Sequence, residues 1–240
     1  MDRDSNAVEN AMNAKLLAAA LTATALTGCM SSSLSPEELV ERKLEVIQRS
    51  EGLAGQALTM PVDGQATYSG VSSFGYGPGA PGGGGIGDIV VMMGEMDVTA
   101  EFTEDGAFVD GVLSGFQSAT GFENNLYEGV FQDGLKSLSE AQRAELIAMF
   151  DTPVDGEIVF SGTTVEGGDV FPIALYGALD NNGKDVRVGG LGIAGFGANN
   201  AAGFSIEATR ETEEGEPALL VTEGGVSKAG LLDGMALRND

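Results

Sequence analysis

A mainly β fold, an eight-stranded antiparallel β-barrel with an N-terminal helix and one helical insertion, follows from three observations on this chain of 240 residues. Apolar and polar residues alternate over long runs; the longest sets Val90, Met92, Met96, Val98, Ala100 and Phe102 against Glu95, Asp97, Thr99, Glu101 and Thr103. A period of two makes a strand with one buried and one wet face. Turn sequences such as Thr103-Glu104-Asp105-Gly106, Asp180-Asn181-Asn182-Gly183 and Ala198-Asn199-Asn200 separate these runs and join neighbours antiparallel. Glycines inside the runs, among them Gly94, Gly111, Gly162, Gly177 and Gly192, suit tight curvature rather than a wide flat sheet.

The chain opens on a segment of another kind. Lys15 precedes an uncharged apolar run, Leu16 to Leu26, too short to span a bilayer as a helix. The run ends in Leu26-Thr27-Gly28-Cys29, which holds the only cysteine. Positive charge, apolar run and small residues are the parts of a secretory signal peptide. The quartet resembles the lipobox of bacterial lipoproteins, in which a Leu and two small residues precede a cysteine that is lipidated and becomes the mature N-terminus. That resemblance implies removal of residues 1–28, a membrane partner through lipid on Cys29, and handling by the lipoprotein export and processing machinery. Met30, rather than Asp, follows the cysteine, which by the same resemblance favours the outer membrane over the inner. Asp2, Asp4 and Glu9 outnumber Arg3 ahead of the signal, so Met12 is its expected start.

Residues 29–61 are expected to form a linker and a helix. Ser35-Pro36-Glu37-Glu38 combines a Ser N-cap, Pro at the first helical position and Glu at the third. Leu39, Val40, Leu44 and Ile47 follow at helical spacing, with Glu38/Arg42 and Glu45/Arg49 as outward i,i+4 pairs. The helix is expected to end near Ser50 or Gly52, as a spacer or a plug over one end of the main domain.

The barrel is expected over residues 62–210. Eight runs supply its strands: Gln65 to Phe74, the long run to Phe102, Phe108 to Ser118, Asn125 to Gln132, Glu157 to Val165, Val170 to Leu179, Val186 to Phe196 and Ala202 to Thr209. Gly75 to Gly87 is a Gly- and Pro-rich loop. It lacks the downstream helix and Lys of a phosphate-cradling loop. Ser139 caps a second helix, Glu140 to Phe150, with Gln142 in the capping-box place, as an insertion between the fourth and fifth strands. Residues 211–240 open with Glu211, Glu213, Glu214 and Glu216 and read as an acidic extension, docked or loose.

Composition narrows the function. Twelve basic against 36 acidic side chains repel a phosphate backbone, so no nucleic acid partner is expected. Without histidine the chain builds no Ser-His-Asp triad, His zinc site or His-ligated haem. No catalytic residue, metal site or cofactor is assigned. Asp180-Asn181-Asn182-Gly183 resembles the start of a calcium loop, but Leu191 stands where the bidentate Glu belongs, so a hairpin turn is expected there.

The last expected hairpin, Val188 to Ala208, is similar to the closing hairpin of the transferrin-binding-protein B-like β-barrel domains, in which a Gly-aromatic-Gly turn is followed by small residues, then Gly and an aromatic strand. Phe196, Gly197, Ala201, Gly203 and Phe204 carry the match, and the family's common Pro after the Gly is absent. The resemblance implies a barrel on a lipid-anchored surface lipoprotein whose loops bind an extracellular protein; for the motif residues it implies barrel closure, not ligand contact. Two other readings stay open: a periplasm-facing structural or assembly lipoprotein without external ligand, and a lipocalin-like small-molecule carrier with an open apolar cavity.

Overall fold

The structure is a computed structural model that describes residues 33–78, 88–122, 124–131, 134–165, 168–209 and 219–239. Helix α1 (Pro36–Leu53) leads into β1 (Gly64–Pro78), β2 (Val90–Thr103) and β3 (Gly106–Ala119). A helical excursion follows, made of α2 (Asn124–Val130), a 3-10 turn (Gly134–Ser137) and α3 (Glu140–Met149). The two-residue β4 (Thr152–Pro153) then precedes β5 (Asp155–Thr163), β6 (Val170–Asn181), β7 (Lys184–Gly197), β8 (Gly203–Thr209), β9 (Leu219–Glu223) and β10 (Val226–Arg238).

The sheet closes on itself. Its order is β1-β2-β3-β5-β6-β7-β8-β10, and β10 returns to pair antiparallel with β1 from Tyr68↔Arg238 to Pro78↔Lys228. Segments β8 and β9 share one strand position: β8 pairs with Ile193–Gly197 of β7 and β9 with Val186–Gly190. The result is a closed antiparallel barrel of eight strand positions, which leaves no long free edge. Gly70 makes the closing seam possible, because a Cβ there would stand 1.9 Å from the Met235 carbonyl oxygen.

Both helical caps form as their sequences require. The Ser35 hydroxyl accepts from Glu38 N–H while the Glu38 carboxylate accepts from Ser35 N–H at 2.8 Å; Ser139 and Gln142 repeat the box at α3. With Glu38 committed to its cap, the ion pairs along α1 join Glu45 to Arg42 and Arg49. The buried face of α1, Leu39, Val40 and Ile47, packs with Val71, Val91 and Met93 on the outside of β1 and β2, joined by Leu126, Val130, Leu135, Leu146 and Phe150 of the excursion. The helices therefore cover the outer wall over β1, β2 and β10, rather than plugging an end.

The structure corrects the sequence reading at four places. Residues 125–132 are no strand: Asn124–Val130 is α2, whose Leu126 and Val130 lie one helical turn apart and bury together. The eighth strand is instead β10, so the barrel extends to Arg238, beyond the 62–210 boundary, and that part of the 211–240 extension is structural. The β7–β8 hairpin consequently does not close the barrel; β10 against β1 does. Finally, β1 continues through Gly75–Pro78, leaving 79–87 of the expected loop outside the described residues.

Candidate functional site: an exposed apolar wall on the barrel

The barrel interior is occupied by its own side chains. Inward residues of every strand position, including Met92, Met96, Leu113, Ile158, Leu175, Val188 and Leu232, form one packed cluster. At its centre Phe196 meets Phe204 edge-on at 5.2 Å, with Tyr68, Phe102, Phe160 and Phe171 around the pair. Aromatic pairs of this kind add to the packing of the interior.

On the outside the two halves of the barrel differ. Over β1, β2 and β10 the outward apolar residues lie beneath the helices. On β6, the position opposite β1, the outward residues Val170, Pro172, Ala174 and Tyr176 are exposed instead, Tyr176 at 67%. The register extends this face sideways: Val112, Val159, Tyr176, Gly189 and Leu220 stand in one row across β3, β5, β6, β7 and β9. Leu191 and Ile193 of β7, each 58% exposed, lie beside Ala174 and Pro172. Asp110 borders the wall on β3, and burial raises its carboxyl above the ordinary value. Among the outward residues of these strands Val159, Val170, Tyr176, Leu191, Ile193 and Leu220 are exposed apolar side chains, with Glu157, Ser161 and Arg187 between or beside them.

One end of the wall runs into a cleft of about 470 Å³ between α1 and the barrel, lined by Ile47, Glu51, Lys136, Ile193, Glu207 and Met235 among others. Lys136 pairs with Glu51 at its mouth. Deeper under α1, Lys43 is buried; its ammonium donates to Ser73 Oγ at 2.7 Å and to the Val130 carbonyl, with Asp233 Oδ1 3.8 Å away. Burial pulls Lys43 below the ordinary lysine value, and Asp233 opposes that shift. Here a Ser and a Lys touch, as nucleophile and base would, but both are sealed from solvent. Their geometry pins helix to barrel.

A polar network spans one rim of the barrel. Ser118 donates to Asn181 Oδ1 at 2.9 Å, Asn181 donates to the Tyr76 hydroxyl, and Tyr76 donates to Glu223 Oε1 at 3.2 Å. Lys228 and Lys184 neutralise Glu223 at 3.1 and 3.5 Å. Burial pushes the Tyr76 phenol up to about 12, so it stays a donor at neutral pH. These contacts tie β1, β3, β6, β7, β9 and β10 together at one end.

Of the residues singled out from sequence, Leu26, Thr27, Gly28 and Cys29 lie outside the described residues. The hairpin motif residues come together in the barrel: Phe196 pairs with Phe204 and Gly197 with Gly203, while Ala201, at φ 49°, accepts from Tyr68 Oη at 2.8 Å. Each packs or turns the chain. Asp180-Asn181-Asn182-Gly183 is a hairpin turn, with Asn182 and Gly183 both at positive φ and Asp180 Oδ1 accepting from Gly183 N–H. The sequence reading missed the wall, although Val170 to Leu179 carries the signal: its residues are apolar at nearly every position, not at alternate ones, as in a strand covered on both faces.

No family model matches the chain, and neither a curated protein nor a solved structure matches it.

Proposed function

We propose that this protein is a lipid-anchored outer-membrane lipoprotein that works as a binding module, its transferrin-binding-protein B-like barrel serving as a rigid scaffold and Cys29 as its tether. The observation that carries this reading is the contrast between a barrel filled by its own aromatic residues and an outer wall left apolar and exposed. A packed interior favours contact over containment, and so favours a binding module over a small-molecule carrier. Among the described residues no helix is long and apolar enough to cross a membrane; in this reading the lipid on Cys29 attaches the protein. Several acyl chains hold a protein durably where one holds it marginally.

Fatty-acid labelling of cells expressing the wild type and Cys29→Ser tests the tether: label is expected in the first only, and equal label in both refutes it. Protease treatment of intact cells tests display. Digestion supports an outward-facing binding role, whereas full protection supports the periplasm-facing structural alternative. Binding is tested by pull-down from extracellular medium with the full chain; recovery of nothing above background from any source argues against an external ligand.

A further inference from the structure

We infer that a polar cleft at one rim of the barrel, between the β6–β7 turn and the last turn of α3, is a binding site for a neutral sugar ring. The site is separate from the apolar wall and from Cys29, so it goes beyond the reading above and does not depend on the tether.

The inward faces of three strands turn polar at this rim. On β3 Phe116 is followed inward by Ser118, on β6 Leu179 by Asn181, and on β9 Val221 by Glu223. Ser118 is 4% exposed and Asn181 7%. A buried polar group is costly unless it is hydrogen-bonded, and an apolar residue at either place would simply lengthen the core. The network through Tyr76 and Glu223 offsets that cost, yet it uses only part of what the two side chains offer. Asn181 accepts from Ser118 and donates one N–H to the Tyr76 hydroxyl at 3.4 Å, which leaves a second lone pair and a second N–H. Ser118 shares its one proton between Asn181 Oδ1 at 2.9 Å and the Thr152 carbonyl at 3.3 Å, and its own lone pairs accept from no described residue. Both side chains line the cleft. A donor and acceptors set together in this way match a hydroxyl group, which is itself both.

The cleft has a volume of about 420 Å³, inside the range of about 300–1,000 Å³ that holds small molecules. Val90, Ala119 and Met149 give it apolar surface, while Thr120, Thr152 and Asn182 add hydroxyls and a carboxamide. A pyranose ring divides in the same manner, with C–H groups on its faces and hydroxyls round its edge. The polar groups are held in place beforehand. Asp180 Oδ1 accepts from Gly183 N–H at 2.6 Å and fixes the turn that carries Asn182, and the strand pairing fixes Asn181 opposite Lys184. Groups that need no ordering on binding lose less affinity to it.

Charge selects against other occupants. Asp151 and Lys184 both line the cleft, one of each sign, and Lys184 is drawn to Glu223 at 3.5 Å. A phosphate or carboxylate would meet Asp151 on a chain of formal net charge −24. A metal ion would meet the Lys184 ammonium. An uncharged ligand meets neither repulsion.

Saturation-transfer NMR on the full chain, with glucose, galactose, mannose and N-acetylglucosamine as separate probes, tests the site. Transfer to at least one of them is expected, with amide shifts at Thr120, Thr152 and Asn181 on titration. Ala148, exposed near the end of α3, lines the cleft outside the hydrogen-bond network, so Ala148→Trp fills the space without touching the floor. That variant is expected to abolish transfer while the circular dichroism spectrum is retained. Asn181→Asp keeps the shape and removes both N–H donors, and it is expected to weaken binding at least about tenfold. If Asn181→Asp does not fold, Ala148→Trp still decides. No transfer to any of the sugars overturns the inference, and so does transfer that survives Ala148→Trp. Stronger transfer to acetate or glycine than to every sugar overturns it in favour of a charged ligand. None of these outcomes bears on the lipid at Cys29, which fatty-acid labelling tests by itself.

Discussion

Lys43, in the middle of α1, donates its ammonium to the hydroxyl of Ser73 in β1 at 2.7 Å, beneath the helices and 3.8 Å from the Asp233 carboxylate of β10. A helix held only by Leu39, Val40 and Ile47 could slide along the barrel; a buried charge with directed partners has one position. The contact joins α1 to both strands of the closing seam.

Removing one member of a buried charge pair leaves its partner uncompensated, at a cost of about 3–5 kcal/mol. Lys43→Ala is therefore expected to lower stability by that amount in denaturant titration. Lys43→Met combined with Asp233→Leu is expected to recover most of it, because both charges then leave the interface together. Equal losses in the single and double variants would contradict this account.

The seam itself depends on Gly70. A methyl group at that position meets Met235 O at 1.9 Å and Ala236 Cα at 2.5 Å, both backbone atoms that cannot swing aside. Gly70→Ala is expected to cost at least about 1–3 kcal/mol through forced separation of β1 and β10. Faster amide exchange at Met235 and Ala236 than in the wild type would place the damage at the seam; unchanged exchange there would not fit.

Phe196 and Phe204 face each other across the β7–β8 pair with ring centroids 5.2 Å apart. Their role is packing, so Phe196→Ala is expected to destabilise by about 3–5 kcal/mol. Thermal melts of Phe196→Ala and Phe196→Leu check this, with the leucine variant losing less because it refills most of the volume.

Glu223 sets an acid limit on the rim. Burial raises its carboxyl, but the hydrogen bond from Lys228, the charges of Lys184 and Lys228 and the Tyr76 hydroxyl outweigh it, leaving the group below its ordinary 4.5. A carboxyl lowered in the folded state contributes stability that is present above the unfolded value and lost as pH falls through the folded one. Glu223→Gln is thus expected to melt below the wild type at neutral pH, with the gap closing under acid conditions below pH 4.5. A gap that persists unchanged into strong acid would assign the effect to something other than charge.

The sequence by itself determined the mainly β class and the two capped helices. Strict alternation in β2, turn residues at 103–106 and 180–183, and Ser caps at 35 and 139 are local signals, and a residue's neighbours in the chain suffice to express them. The reading of Lys15, the apolar run and Cys29 uses the same local logic and falls outside the described residues. The strand at 226–238 was invisible to it because helices cover the outside of β10: Leu231 and Met235 pack outward while Leu232 and Ala236 pack inward, which erases the alternation. In α2 the i,i+4 pair of Leu126 and Val130 was hidden by a run of mixed strand-forming residues too short to show a period. Only the tertiary structure decided which apolar faces found a cover. Val71 on β1 and Tyr176 on β6 both point outward from the barrel, yet α1 lies over the first and no described residue lies over the second. That difference is made by contacts between segments far apart in the chain, which no period along the sequence records.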